Sequence, residues 1–386
     1  MTYSLTEDQL AIQELVRRVA REKVAPRADE IDRKAEYPQD MFELLKELGL
    51  FALPFPAEYG GTDSLLSGCI AVEEFGRVCY NTGYLLVVQW VAFGALLAAA
   101  SEEQKKRFLP DLAAGKTRGA FSTTEPQSGS DVSGIKTRAT KVPGGYKLNG
   151  SKIWCTNSDV ADFVLVGAKC AGPEGKDSIN LFIVEKGTKG FTVGAKENKM
   201  GARGVPSCPL FFDDAFIPEA NRMGPEGDQG FKLVMEAFNA SRPIVAARAV
   251  GLAQGAIDHS IEFIKNRRAF GRQVSDFQGV RWMIADMQMQ TEAARQLTYK
   301  AASAIDAGGK GPEMGMLAAM AKCFSSDVAM KVATDAVQLF GAAGISNEYP
   351  INRYFRDAKV VQVIEGTNQI QRNIIANTLL GRESKR

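Results

Sequence analysis

A chain of 386 residues holds about two to three structural units. Its 45% hydrophobic and 24% charged residues exclude a disordered, collagen-like or disulfide-scaffold protein. With 47 Lys and Arg against 45 Asp and Glu the net charge is only +2, so no footprint for nucleic acid or a membrane surface is present.

Met1-Thr2-Tyr3-Ser4 leads straight into an acidic, helix-starting segment, which argues against a signal peptide and for a cytoplasmic protein. Thr6-Glu7-Asp8-Gln9 has the form of a capping box, and Ile12, Leu15, Val16 and Val19 follow at helical spacing. Phe42, Leu45 and Leu48 mark a second helix stopped at Gly49, with a loop over 54–61. Helices are predicted over 70–78 and through the uncharged stretch 84–100. That stretch reaches the lower limit of a membrane span, but it contains Gln89, ends in an alanine run and stands alone, so it reads as a buried core helix. Ser101-Glu102-Glu103-Gln104 caps another helix. From Gly119 to about Asn221 the texture changes to short apolar runs at 146–148, 163–166, 179–184, 191–193 and 210–212, bounded by Gly, Pro, Asn and Asp. They predict a small antiparallel sheet or barrel, with a turn at Pro143-Gly144-Gly145. After Gly230, helical patterns over 231–238, 244–267, 280–307, 314–340 and 369–380 predict a four-helix bundle. The fold class is therefore α+β and mostly α: a helical domain over 1–118, an antiparallel β domain over 119–230 and a helical bundle over 231–386.

The chemistry is narrowed by what is missing. Six scattered cysteines without a C-x-x-C pair read as buried thiols. The single histidine, His259, excludes a His-rich metal site, and no metal is expected. Acid–base work then falls to carboxylates, lysines, tyrosines or a bound cofactor. No P-loop, dinucleotide fingerprint or nucleophile elbow is present. Gly341-Ala342-Ala343-Gly344 reads as a helix terminus or close-packing site ahead of a phosphate cradle.

Three segments are richer than structure alone requires. Phe121 to Asp131 is dense in hydroxyls and glycine, and is either an ordinary loop or one that binds a polar ligand edge. Asn266 to Arg272, followed by Phe277-Gln278, sets arginines around an aromatic at a helix end. They can satisfy the helix dipole or clamp a phosphate. Glu365 lies between an apolar run and Gly366-Thr367. Apolar surroundings would raise its pKa toward a general base, although a helix-cap partner or a solvated loop residue fits the same residues.

In their order and spacing these segments resemble the acyl-CoA dehydrogenase family over essentially the whole chain. The resemblance is carried by Thr124-Glu125-Pro126 with Gly129-Ser130-Asp131, Trp154-Cys155-Thr156-Asn157, Arg267 to Gly271, and Glu365-Gly366-Thr367 with Ile370-Gln371-Arg372. It implies non-covalent FAD and a homotetramer. It also implies an acyl-CoA substrate and electron-transferring flavoprotein as acceptor. By motif, Phe121, Thr123, Thr124, Ser130, Trp154 and Thr156 would meet the flavin, as would Thr367 and Gln369. Arg267, Phe270, Gln278, Gln338 and Gly341 would reach the flavin of a neighbouring subunit. Glu365 matches the base that removes the α-proton of the thioester while the β-hydrogen leaves as hydride to flavin N5. Its own N–H and the flavin ribityl 2′-OH would bind the thioester oxygen. Ser130, Asn239, Arg242 and Gly366 match substrate contacts.

The sequence departs from the family's pattern at Ala269, Ala342 and Ile364, where threonine, glycine and tyrosine are common. Positions 246–249, near which some members place the base, carry no carboxylate. Tyr84, Val87 and Trp90 lie on the helix that lines the acyl cavity, and bulky Trp90 is expected to limit its depth. A short, branched or alicyclic acyl group follows. The oxidase and the enoyl-CoA reductase share these residues, and a non-catalytic acyl-CoA or flavin scaffold would have no need of Glu365.

Overall fold

The computed structural model describes residues 5–171, 177–225 and 229–381. Six helices come first: α1 (Glu7–Val19), α2 (Ala28–Lys34), α3 (Gln39–Glu47), α4 (Leu65–Val78), α5 (Tyr80–Ala99) and α6 (Glu102–Ala113). Capping boxes start α1 and α6: Thr6 and Ser101 accept from the N–H groups of Gln9 and Gln104, whose side chains bond back. Among the described residues two helical stretches, Tyr80–Ala99 and Gly311–Ile345, are long and apolar enough to cross a membrane. The first is packed between α4, α6, α7 and β1, and 78% of its apolar window is buried in the fold. It is the core helix its composition suggests.

Eight strands follow: β1 (Gly119–Ser122), β2 (Arg138–Val142), β3 (Gly145–Thr156), β4 (Phe163–Ala171), β5 (Asp177–Glu185), β6 (Phe191–Val193), β7 (Ser207–Pro218) and β8 (Arg222–Met223). All five expected runs lie in strands, and Pro143-Gly144 turns β2 into β3. The sheet order is β6-β7-β3-β2-β4-β5-β8, with β1 beside β4. It is mixed, not wholly antiparallel. β1 runs parallel to β4 from Gly119↔Phe163 to Ser122↔Val166, and β2 meets β4 in parallel at Arg138↔Lys169. The long β2–β3 hairpin separates β1 from β4 in sequence, which gives the crossover a parallel pair needs. Apolar alternation reports the faces of a strand and not its direction.

The C-terminal part holds α7 (Gln229–Asn266), a ribbon of β9 (Arg268–Ala269) and β10 (Arg272–Gln273), α8 (Gln278–Asp306), α9 (Gly311–Phe340), α10 (Ile351–Val363) and α11 (Asn368–Leu380). Helix α9 packs against α7, α8, α10 and α11. Two expectations need correction. The separate helices over 231–238 and 244–267 are one helix that continues through Pro243. Burial of Pro243 to Val250 outweighs the backbone bond a proline forfeits. Helix α10 was not expected at all; its buried face, Ile351, Tyr354, Ala358 and Val361, repeats at helical spacing.

One hydrophobic core spans the N- and C-terminal helices, centred on α4 against α7. Their backbones touch where they cross. A Cβ on Gly251 would lie 2.1 Å from the Glu73 carbonyl oxygen, and one on Gly255 would lie 2.0 Å from that of Arg77. This crossing fixes the middle of α7 beside α5, which is where the candidate site forms.

Candidate active site

Helix α10 ends at Val363, and the chain reverses into α11 through two left-handed residues, Glu365 at φ 53° and Gly366 at φ 83°. A left-handed glutamate costs about 1–2 kcal/mol, so the surrounding structure must hold it. Lys322 of α9, fully buried, does so: its Nζ donates to the Gly366 carbonyl and to Asn368 Oδ1, each at 2.9 Å. Gln371 Nε2 adds a second bond to the Gly366 carbonyl at 3.0 Å, and Thr367 caps α11 through the N–H of Ile370. The Glu365 N–H meets no backbone or side-chain acceptor among the described residues.

The Glu365 carboxyl faces α7. It lies in the field of Arg248, Lys322 and Arg242, beside Ser241, whose hydroxyl donates to the Phe238 carbonyl at 3.0 Å. Burial pushes its pKa above the ordinary value, and these groups offset that only in part. Burial brings Lys322 down to about 8 against the opposing pull of Glu365. Arg242 Nη1 donates to Asn239 Oδ1 at 2.5 Å. The expected residues Asn239, Arg242, Glu365 and Gly366 are thus brought together.

A second wall comes from the β domain. Phe121 at the end of β1 packs edge-on against Phe238 of α7 at 4.9 Å, three residues before Ser241. Trp154 sits at a bulge between β3 and β7 with φ 58° and is 53% exposed. Thr156, two residues on, shares a hydrogen bond with Ser207 of β7 at 3.2 Å, and Tyr84 of α5 lies near it and in the field of Glu365. The loop carrying Thr123, Thr124 and Ser130 is pinned by buried Glu125. Its carboxylate accepts from Lys136 N–H at 2.5 Å, Thr137 N–H at 2.9 Å and Lys152 Nζ at 2.7 Å. Lys152, also fully buried, donates to the Thr123 carbonyl at 3.1 Å. Burial pushes the Glu125 carboxyl up, but Lys152 and the amide donors prevail and hold it at about 2.

Gln369, exposed in the first turn of α11, stays beside the Glu365 turn, whereas Arg267, Phe270, Gln278, Gln338 and Gly341 form a separate exposed patch. Arg267 follows α7, and Phe270-Gly271, both left-handed, turn β9 into β10. Phe270 is 94% exposed. Phe263 stacks on Phe340 at 4.1 Å, which brings this ribbon close to exposed Gln338 and Gly341 at the end of α9; Gln278, exposed, starts α8. Gln338 lies about 24 Å along α9 from Lys322, so the patch does not join the Glu365 cleft within one chain.

Family models for the N-terminal, middle and C-terminal domains of acyl-CoA dehydrogenase match residues 6–116, 120–215 and 228–380. The chain belongs to the acyl-CoA dehydrogenase family. It is 43% identical to an acyl-CoA dehydrogenase of Bacillus subtilis, over 98% of this chain and 99% of the relative. It is 40% identical to a cyclohex-1-ene-1-carbonyl-CoA dehydrogenase of Syntrophus aciditrophicus, over 97% and 91%. The solved butyryl-CoA dehydrogenase of Megasphaera elsdenii superposes with a TM-score of 0.93 at 40% identity, covering 98% of this chain and 100% of that one. The protein is an enzyme of this oxidoreductase class.

Three groups at this acyl-CoA dehydrogenase site escape a reading of motifs: Lys322, Arg248 and Lys152, the buried partner of Glu125. Arg248 leaves one trace in the sequence, a lone cation in the apolar run 244–250 of α7, seven residues after Ser241 and so on the same face. One expected residue is misplaced. The Trp90 indole N–H donates to the Phe51 carbonyl at 3.0 Å, and its ring lies beside Gly68 in the N-terminal core. On α5 it stands about 120° from Tyr84, so Tyr84 and not Trp90 faces the cleft.

Proposed function

We propose that this protein carries out the α,β-dehydrogenation of a short, branched or alicyclic acyl-CoA thioester to the 2-enoyl-CoA. FAD is the cofactor. Its ring would lie against exposed Trp154, between Thr156 and the Glu125-pinned loop. An indole held out on a left-handed bulge suits an aromatic ligand face. When bound, FAD supplies the acceptor for the β-hydride.

The observation that carries the reading is Glu365: a carboxylate with raised pKa, on a left-handed turn, in the field of Arg248 and Arg242 of α7 and close enough to act on Tyr84 of α5. Glu365 takes the α-proton, and its free N–H is available to the thioester oxygen as negative charge develops there. Lys322 holds the turn that carries the base through Gly366 and Asn368, and its charge with that of Arg242 favours anionic charge in the site. The α-proton goes to Glu365, and bound FAD would take the β-hydrogen with its bonding pair, so the two-electron oxidation of acyl-CoA to enoyl-CoA would be balanced by reduction of the flavin.

The acyl end is short because Tyr80, Tyr84 and Arg248 fill the space between α5 and α7. The butyryl-CoA and cyclohexenecarbonyl-CoA dehydrogenases among its relatives support the same size class. Electron-transferring flavoprotein is the proposed acceptor, and the exposed patch around Phe270 supports a homotetramer in which it reaches a neighbour's flavin.

The test is an acyl-CoA series read by anaerobic bleaching of the flavin. Isobutyryl-, butyryl- and cyclohexanecarbonyl-CoA should exceed palmitoyl-CoA in kcat/KM by about 100-fold, since the long chain has to displace packed side chains. A maximum at palmitoyl-CoA would overturn the size assignment. Reoxidation by air as fast as turnover would make the enzyme an oxidase.

A further inference from the structure

We infer that the acyl group carries a second carboxylate at its far end, bound by Arg248 with help from the Tyr80 hydroxyl. The inference rests on the acyl-CoA reading above and narrows its substrate class.

Arg248 is fully buried near the middle of α7, and none of its Nε, Nη1 and Nη2 atoms has a hydrogen-bond partner among the described residues. The other buried cations of the site have partners: Lys322 bonds Gly366 and Asn368, and Lys152 bonds Glu125 and Thr123, while half-buried Arg242 donates to Asn239. Arg248 has only aromatic faces, with its guanidinium carbon 4.4 Å from the Tyr80 centroid and 3.9 Å from that of Tyr84. Stacking compensates a buried cation in part but leaves its donors unused. Tyr80 adds a further unused donor, a buried hydroxyl without a partner.

The charge balance agrees. Arg242, Arg248 and Lys322 all act on Glu365. Asp357, the other carboxylate whose field reaches Tyr80, is already bonded to the Ala202 N–H at 2.7 Å. One base among three cations leaves room for another anion. Tyr84 stacks on the Arg248 guanidinium at 3.9 Å and also lies in the field of Glu365, so the phenol is near both groups. An acyl chain whose α-carbon lies at Glu365 therefore runs toward Tyr84. A terminal carboxylate there meets the guanidinium once the Tyr84 ring turns aside. Its two oxygens match the forked donors of an arginine.

The holoenzyme should be assayed with glutaryl-CoA and pentanoyl-CoA, which differ only by a carboxylate in place of the terminal methyl. Glutaryl-CoA should be favoured in kcat/KM by about 100-fold or more, because a site with unused donors rejects the analogue that lacks the acceptor. Glutaryl-CoA should also raise the melting temperature more than pentanoyl-CoA at equal concentration. In Arg248→Met the glutaryl-to-pentanoyl ratio should fall by about 100-fold, and Arg248→Lys should restore part of it. Equal or better use of pentanoyl-CoA by the wild-type enzyme would overturn the inference, whether or not the variants fold. A failure of the parent reading looks different: no thioester of any kind would bleach the flavin, and this inference would go with it.

Discussion

Glu365→Gln keeps its flavin and its melting temperature but bleaches with acyl-CoA about 10⁴-fold more slowly, the upper end of what a general base supplies. The amide fills the same space on the same left-handed turn, and the Lys322 bonds to Gly366 and Asn368 do not involve the side chain at 365. What is lost is the proton acceptor. Positions 246–249 on the facing helix, Ala246, Ala247, Arg248 and Ala249, offer no carboxylate to take over. In the wild-type enzyme the same group sets the acid limb of the rate profile. Burial raises its pKa, and only the ionised form accepts a proton, so kcat/KM should climb with pH through a midpoint above the ordinary carboxylate value. Stopped-flow bleaching from pH 5 to 9 checks both effects. A loss below about tenfold in the variant would remove Glu365 from the role of base.

The sequence made the elements of this architecture readable because apolar periodicity and turn chemistry are local properties. The boxes at Thr6 and Ser101, the strands around Phe163 and Ile183, and the long patterns of α8 and α9 are all of this kind. The continuous α7 was not legible. Pro243 argues for a break, and only the burial of its flanks against α4 and α9 overrides that signal. The parallel entry of β1 was hidden for a related reason, since pairing direction is decided by the route of the chain between strands. Glu365 could be singled out by motif, whereas what activates it could not. Lys322 is 43 positions away in sequence and Arg248 is 117, and each reads as an isolated lysine or arginine until the helices are packed. Trp90 shows the converse error. Its size suggested a cavity stop, but its position around α5 turns it toward Phe51.

Lys152→Met should cost about 3–5 kcal/mol, because it leaves the Glu125 carboxylate buried with its counter-ion removed. That is a large share of a total stability of about 5–15 kcal/mol. If the chain melts as one unit, the midpoint should drop by about 4–6 °C. The flavin should be released before the fold is lost, since the pair anchors the loop of Thr123, Thr124 and Ser130 through the Thr123 carbonyl and the 136–137 amides. Calorimetry and flavin content after gel filtration measure the two losses. A second variant separates a missing charge partner from a mere packing defect. Glu125→Gln combined with Lys152→Met removes both charges and should be more stable than Lys152→Met alone. Acid provides the independent check. Glu125 has a folded pKa of about 2 against an ordinary 4.5, so its contribution is complete above 4.5 and is lost as pH falls toward 2. The wild-type protein should therefore lose stability across that window more steeply than the double variant. Identical acid profiles would mean that the carboxylate is not held by Lys152, and the anchoring of the loop would have to lie in its backbone bonds alone.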